Sequence, residues 1–191
     1  MTAEQLQQIL AAVPALEARL SAVEDERAVR NALARYMALC DQPCGDRDFP
    51  QLGDLFTEDA IWEGVGELYA ETFGIQNGRT EIVAFVGSHL APHSSHFKMN
   101  AHLLTSDAVQ VDGDSARGQW LMLQASSYAD NHSELIGARL TIDFKKQHRQ
   151  NQAWQISHFR TQRLFCSPFD PTIGHLSGKM APRPADQQKD A

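Results

Sequence analysis

Three side chains in this sequence have the types and spacing for proton transfer. Tyr36 and Asp41 lie in Asn31-Ala-Leu-Ala-Arg-Tyr-Met-Ala-Leu-Cys-Asp41, and His102 opens His102-Leu-Leu-Thr-Ser-Asp-Ala-Val-Gln-Val-Asp-Gly-Asp114. The first run reads as an apolar helix that breaks at Pro43 and Gly45, so Asp41 falls on its C-terminal end. The second reads as a strand closed by an Asp112-Gly113 hairpin turn. A carboxylate at a helix C-terminus meets the negative end of the macrodipole, so it calls for a compensating partner. An imidazole, whose ordinary titration lies near neutrality, suits general-base work. One acid on a helix end and one imidazole on a strand are what a proton-abstracting dyad needs. Tyr36 sits five residues before Asp41, about 140° round the helix. It need not share a face with Asp41, though the helix end can unwind to bring both inward, and a phenol serving an oxyanion and an ordinary core tyrosine both remain open.

Other polar residues compete or assist. His89, His93 and His96 suggest a metal site, but Pro92 breaks the helix that would align the rings of His89 and His93, so no metal is expected. His96, Asn100 and His102 share strand parity if no bulge intervenes, which lets all three face one cavity. Spacing to the Asp-Gly turn selects His102 as the base, with His96 in reserve. Near the end of the chain Trp154, Ile156, His158 and Arg160 alternate onto one face. With the first two in the core, His158 and Arg160 are expected to reach the pocket or its mouth. A buried Arg160 would need Glu63, Asp143 or an acidic substrate as its anion. Trp62, Trp120, Met122 and Phe85 read as pocket lining or core. Cys40 and Cys44 have no histidines at zinc spacing, and nothing marks either as a nucleophile.

The elements that must position these residues follow from periodicity. Leu6, Ile9, Leu10, Val13, Leu16 and Leu20 give a first helix over 3–22, which Pro14 should kink or split. Its narrow stripe fits a dimer contact or a flap over the domain equally well. Ala28, Val29, Ala32, Leu33, Tyr36, Met37 and Cys40 give a second helix over 24–41. A short helix is expected at 49–56, a short strand at 59–63 ended by Gly64 and Gly66, and a helix N-capped by Thr80 with Glu81 in its first turn. The period then changes to two, with strands at about 97–111, 115–128, 134–147 and 153–166. Helices followed by long antiparallel strands mean an α+β fold, helices packed on one face of a strongly curved sheet. The expected organisation is an N-terminal helical extension over 1–22, a domain over 23–166, and a polar loop tail over 167–191, disordered at its end.

The 191 residues suit one domain with a real core and show no internal repeat. A net charge of −7 argues against nucleic acid or an anionic membrane as partner. Three cysteines make no disulfide framework, which points to a reducing cytoplasm, and Met1–Leu10 lacks the look of a secretory signal. No apolar run approaches bilayer-spanning length.

Four segments together resemble a known pattern. Tyr36-Met-Ala-Leu-Cys-Asp41, Leu55-Phe-Thr-Glu-Asp-Ala-Ile-Trp62, His102 with the Val109–Trp120 hairpin, and Trp154-Gln-Ile156 are similar to the SnoaL-like branch of the nuclear-transport-factor-2-like superfamily, in order and spacing across about 24–166. The resemblance implies a cone-shaped α+β barrel enclosing an apolar pocket. It also implies catalytic roles for Tyr36, Asp41 and His102, as in the dehydratase-like members of that branch. His102 would be the base, Asp41 its orienting partner, and Tyr36 would support the departing or enolising oxygen. His96, Asn100, Trp62, Trp120, Met122, His158 and Arg160 would contact substrate. The chain departs from the pattern at Leu140-Thr-Ile142, where the family often carries Tyr-x-Asp. The expected function is a cofactor-independent lyase or isomerase for an apolar cyclic molecule, assembled as a homodimer or homotrimer through the outer sheet face. The alternatives are a non-catalytic small subunit of a ring-hydroxylating dioxygenase and a ligand-binding protein of the same fold.

Overall fold

The computed structural model describes residues 1–41, 49–90, 97–148 and 153–169. Its elements are α1 (Ala3–Asp41), α2 (Phe49–Asp54), β1 (Phe56–Val65), α3 (Gly66–Phe73), β2 (Ile75–Asn77), α4 (Arg79–Ser88), β3 (Phe97–Asp112), β4 (Ser115–Tyr128), β5 (Ser133–Gln147) and β6 (Ala153–Pro168). The six strands form one sheet in the order β2-β1-β6-β5-β4-β3, antiparallel except where β1 runs parallel to β6. This is the expected α+β architecture, with a curved sheet that stays open because β2 and β3 remain its edges. None of the helices among the described residues is long and apolar enough to cross a membrane.

Alternation builds the concave face. On β4 the side chains of Ala116, Trp120, Met122, Ser126 and Tyr128 are buried while their odd-numbered neighbours are exposed or half-buried. Leu140, Ile142 and Phe144 on β5 and Ile156 and Phe159 on β6 extend that surface. The C-terminal half of α1 closes it with Val29, Ala32, Leu33, Tyr36 and Met37, the three-and-four spacing of a helix face against a sheet. Asp25 pins the helix where it first meets the sheet, accepting hydrogen bonds from Trp154 Nε1 (2.9 Å) and Lys146 Nζ (3.0 Å).

The structure corrects several boundaries. The helices expected over 3–22 and 24–41 are a single α1, and Pro14 does not split it, because it forfeits only the bond to the Leu10 carbonyl, at an exposed turn. The strand expected at 59–63 spans Phe56–Val65, which shortens the helix before it to Phe49–Asp54. Gly66, at φ +78°, starts the unexpected helix α3. Thr80 is not the cap of α4. Gly78 holds that position at φ 83°, and the Glu81 carboxylate accepts the Asn77 backbone N–H at 2.9 Å. The last strand runs two residues further than expected, to Pro168. The tail expected to be disordered falls mostly on 170–191, outside the described residues.

Candidate active site

His102 and Asp41 meet. The Nδ1 of His102 lies 2.5 Å from Asp41 Oδ1, and the backbone N–H of His102 donates to both carboxylate oxygens, at 3.1 and 3.0 Å. A helix-terminal carboxylate thus gains the donors that its dipole environment withholds. This contact also explains how an edge strand is held. β3 has a sheet neighbour on one side only, and Asp41 of α1 takes up the backbone N–H of His102 on that edge strand. With Asp41 accepting at Nδ1, the imidazole takes the tautomer protonated there, leaving the Nε2 lone pair. The side chains are 12% and 26% exposed, so the pair is sheltered but not sealed.

His102 lines a cavity of about 160 Å³. Its walls are mostly apolar and aromatic, with Trp62, Phe73, Phe85 and Phe159 at their centre. The Trp62 and Phe159 rings stack at 5.5 Å with 4° between planes, and Phe85 tilts against Trp62 at 5.1 Å. Tyr36 also faces this space, and its hydroxyl accepts a hydrogen bond from Trp62 Nε1 at 3.1 Å. No unwinding of α1 is needed to bring Tyr36 and His102 to one cavity, because Asp41 reaches His102 from beside it and is not itself part of the lining.

Burial holds the Tyr36 phenol well above its usual pKa of 10, helped by the neighbouring Cys40 thiol. Tyr69 is raised chiefly by burial, and Tyr128 is pushed up to about 12 by burial and by Glu134. All three tyrosines of the chain are therefore shifted the same way. A phenol whose folded pKa exceeds its unfolded one stabilises the fold below pH 10 and loses that contribution as pH rises through the folded value. The ultraviolet phenolate band is thus expected to show no titration near pH 10 in the native protein. It should instead rise at about pH 12 or together with alkaline unfolding. A native tyrosine titrating at pH 10 would contradict this.

A polar wall stands beside the apolar one. Gln124 Nε2 donates to Asn100 Oδ1 and to Ser126 Oγ, both at 3.0 Å, and Ser126 Oγ donates to Asn100 Oδ1 at 2.8 Å. Asn100 was expected here; Gln124 was not. Its signal was present, because Gln124 and Ser126 continue on β4 the inward parity of Trp120 and Met122. With amides assigned from this network, Asn100 Nδ2 and Gln124 Oε1 have no side-chain hydrogen-bond partner among the described residues. At the rim, His89 caps α4 and its Nδ1 lies 2.9 Å from the Phe85 carbonyl oxygen.

The remaining expected contacts divide. Trp62 and Met122 line the cavity, whereas Trp120 is buried outside it, its ring folded over Gly118 on its own strand. His158 and Arg160 do not reach the cavity, which corrects the expected alternation. The register of β5 with β6 slips between Asp143–His158 and Phe144–Ile156, so a bulge at Ser157 turns Phe159 and Thr161 inward. His158 and Arg160 then face the opposite side of the sheet. There His158 Nε2 lies 2.6 Å from Glu63 Oε1, and Arg160 donates to Asp143 Oδ2 at 2.8 Å. Arg160 thereby finds both of the anions named for it, Glu63 at 3.5 Å included. His96 and His93 lie outside the described residues.

The profile of the family described as "SnoaL-like domain" matches residues 21–160. No curated protein matches the chain. Among solved structures, a hexachlorocyclohexane dehydrochlorinase from Novosphingobium barchaimii is similar at 17% identity and TM-score 0.63, covering 80% of this chain and 95% of its own. A protein of Novosphingobium aromaticivorans provisionally assigned as a scytalone dehydratase is similar at 13% identity and TM-score 0.62, covering 78% and 89%. An NTF2-like protein with a cystatin-like fold from the same organism reaches 23% identity and TM-score 0.61, covering 85% and 95%. At these identities the likeness is one of fold.

Proposed function

The chain belongs to the SnoaL-like domain family, and from that premise we propose that it is a cofactor-independent lyase or isomerase acting on a small cyclic molecule. The observation that carries the reading is the 2.5 Å contact between His102 Nδ1 and Asp41 Oδ1 at the wall of an apolar cavity. His102 Nε2 takes a proton from a carbon next to a carbonyl or a leaving group, and Asp41 stabilises the imidazolium that forms. An acidic C–H and a leaving group need no further reagent: the electron pair released at carbon either expels the leaving group or moves onto the carbonyl oxygen. In this reading Tyr36, a neutral phenol whose pKa burial raises, donates to that oxygen. Asn100 and Gln124 orient a polar substituent of the ring.

Cavity size narrows the substrate. A cavity of roughly 150 Å³ admits benzene, so about 160 Å³ suits a single substituted ring better than a polycycle. The neighbours whose names include a dehydrochlorinase and a dehydratase act, by those names, through elimination, which agrees with this chemistry. The test is solvent-deuterium exchange. Substituted cyclohexanones and halogenated cyclohexanes are incubated with the protein in heavy water and followed by NMR. Label entering the ring, or loss of acid from it, is expected with the native protein and not with His102→Ala. Equal exchange by the two proteins would remove His102 from the chemistry. A bound ring that neither exchanges nor eliminates would favour the ligand-binding alternative.

A further inference from the structure

The N-terminal part of α1 carries an apolar face that its own domain does not use. Leu6, Val13 and Leu20 repeat every seven residues, and so do Ile9, Leu16 and Val23, giving six positions in strict a/d alternation. All six are exposed, from 38% to 63%. Large apolar residues are missing from the b, c and f positions, where Gln7, Gln8, Ala11, Ala15, Ala18 and Ala22 stand. Pro14 also falls at b, on the outside of any pairing. The segment is built to be helical from its start. Thr2 Oγ1 accepts the Gln5 N–H at 3.2 Å and Gln5 Oε1 accepts the Thr2 N–H at 2.8 Å, a reciprocal capping box.

Direction separates this face from the one that packs on the sheet. At 100° per residue, the mean direction of the six heptad positions lies roughly 160° from that of Val29, Ala32, Leu33, Tyr36 and Met37. The stripe is therefore not a continuation of the core contact. It points away from the side on which the domain hangs, over about 33 Å of helix between Ala3 and Glu24. It ends as docking begins: the next heptad positions are Arg27 and Arg30, and Arg30 pairs with Asp107 and Glu26.

We propose that this segment pairs with the same segment of a second copy of the chain as a parallel, in-register coiled coil. Each domain then lies on the outer side of the paired helices, so the two bodies do not collide. Charge selects the parallel arrangement. A residue at g meets the e residue of the following heptad in the partner helix. That rule sets Arg19 of one copy beside Glu24 of the other, twice per pair. An antiparallel arrangement matching all six layers would set Arg19 beside Ala12 and Glu17 beside Leu10, with no attraction. The interface expected on the outer sheet face is thereby moved to the helix. The inference is independent of what the cavity does.

Sedimentation equilibrium of the full chain tests it. The native chain is expected to associate. Leu16→Lys, which buries a charge at a core layer, should weaken association about a hundredfold or more. Arg19→Glu and Glu24→Arg should each weaken it about tenfold, and the double swap should restore it. These positions are exposed, so circular dichroism should report unchanged folding. As an independent readout, Leu16→Cys should form a disulfide between residues 16 of two copies, mapped by mass spectrometry, while Ala18→Cys on the outer face should not. A monomeric native chain would overturn the proposal. So would association indifferent to Leu16→Lys, or equal cross-linking from positions 16 and 18.

Discussion

Asp41→Asn is expected to lower turnover by about a hundred- to ten-thousandfold, close to the loss on removing the proposed base by His102→Ala. Ligand affinity should change little, because Asp41 does not line the cavity. The reason lies in three contacts. Asp41 accepts the Nδ1 proton of His102 on one oxygen, and both oxygens accept the backbone N–H of the same residue. An asparagine can satisfy only part of this. If its carbonyl oxygen faces Nδ1, its NH2 crowds the backbone N–H, donor against donor. If it flips, the NH2 donates to Nδ1, and the ring proton moves to Nε2. Nε2, the base of the proposed reaction, is then a donor. The expected signature is a fall in kcat with KM nearly unmoved and with the native circular dichroism spectrum. Full turnover in both Asp41→Asn and His102→Ala would leave the pair with a structural role only.

Much of that geometry was readable before any coordinates. The four long strands fall within a residue or two of their expected spans, because period-two patterning and Asp112-Gly113 both constrain them. The meeting of Asp41 with His102 was expected mostly from the resemblance, since periodicity only sets the one at a helix end and the other in the first half of β3. What stayed hidden were the irregularities. β3 slips register between Phe97 and Met99 and again between Thr105 and Asp107, where Ser106 takes φ 39°. The second slip turns Val109 and Val111 towards the core after Leu104. The slip at Ser157 likewise turns His158 and Arg160 outward. A bulge inserts one residue without any change in composition, so alternation read past it assigns each later side chain to the wrong face. Helix α3 was missed for a different reason: its eight residues, Gly66–Phe73, leave too short a window for a helical period, and Gly66 reads as a breaker. A split within residues 3–22 was expected because Pro14 weighs heavily in sequence, yet it weighs lightly at an exposed turn of α1.

Gly64→Ala is expected to cost about 3 kcal/mol of stability or more and to open the cavity wall. A methyl group at this position would stand 2.1 Å from the Tyr69 carbonyl oxygen and 2.7 Å from its carbon. Those are backbone atoms of α3, so no side-chain rotation relieves the clash, and the helix must move as a body. Gly64 also donates its N–H to the Gly74 carbonyl at 3.1 Å, which ties the far end of α3 to β1. Tyr69 and Phe73 ride on that helix and line the cavity, with Phe73 packed on Trp62 at 5.6 Å between ring centroids. Displacing α3 therefore damages packing and the binding surface together. Gly53→Ala supplies the contrast. Its methyl would meet Arg79 and Val83 side chains at an ordinary 3.6 Å within a helix. It should be neutral or stabilise by about 0.5–1 kcal/mol, since alanine loses less conformational freedom than glycine on folding. Urea unfolding of the two variants beside the native chain separates the cases. If Gly64→Ala unfolded at the native midpoint, α3 would not be held against β1 as described.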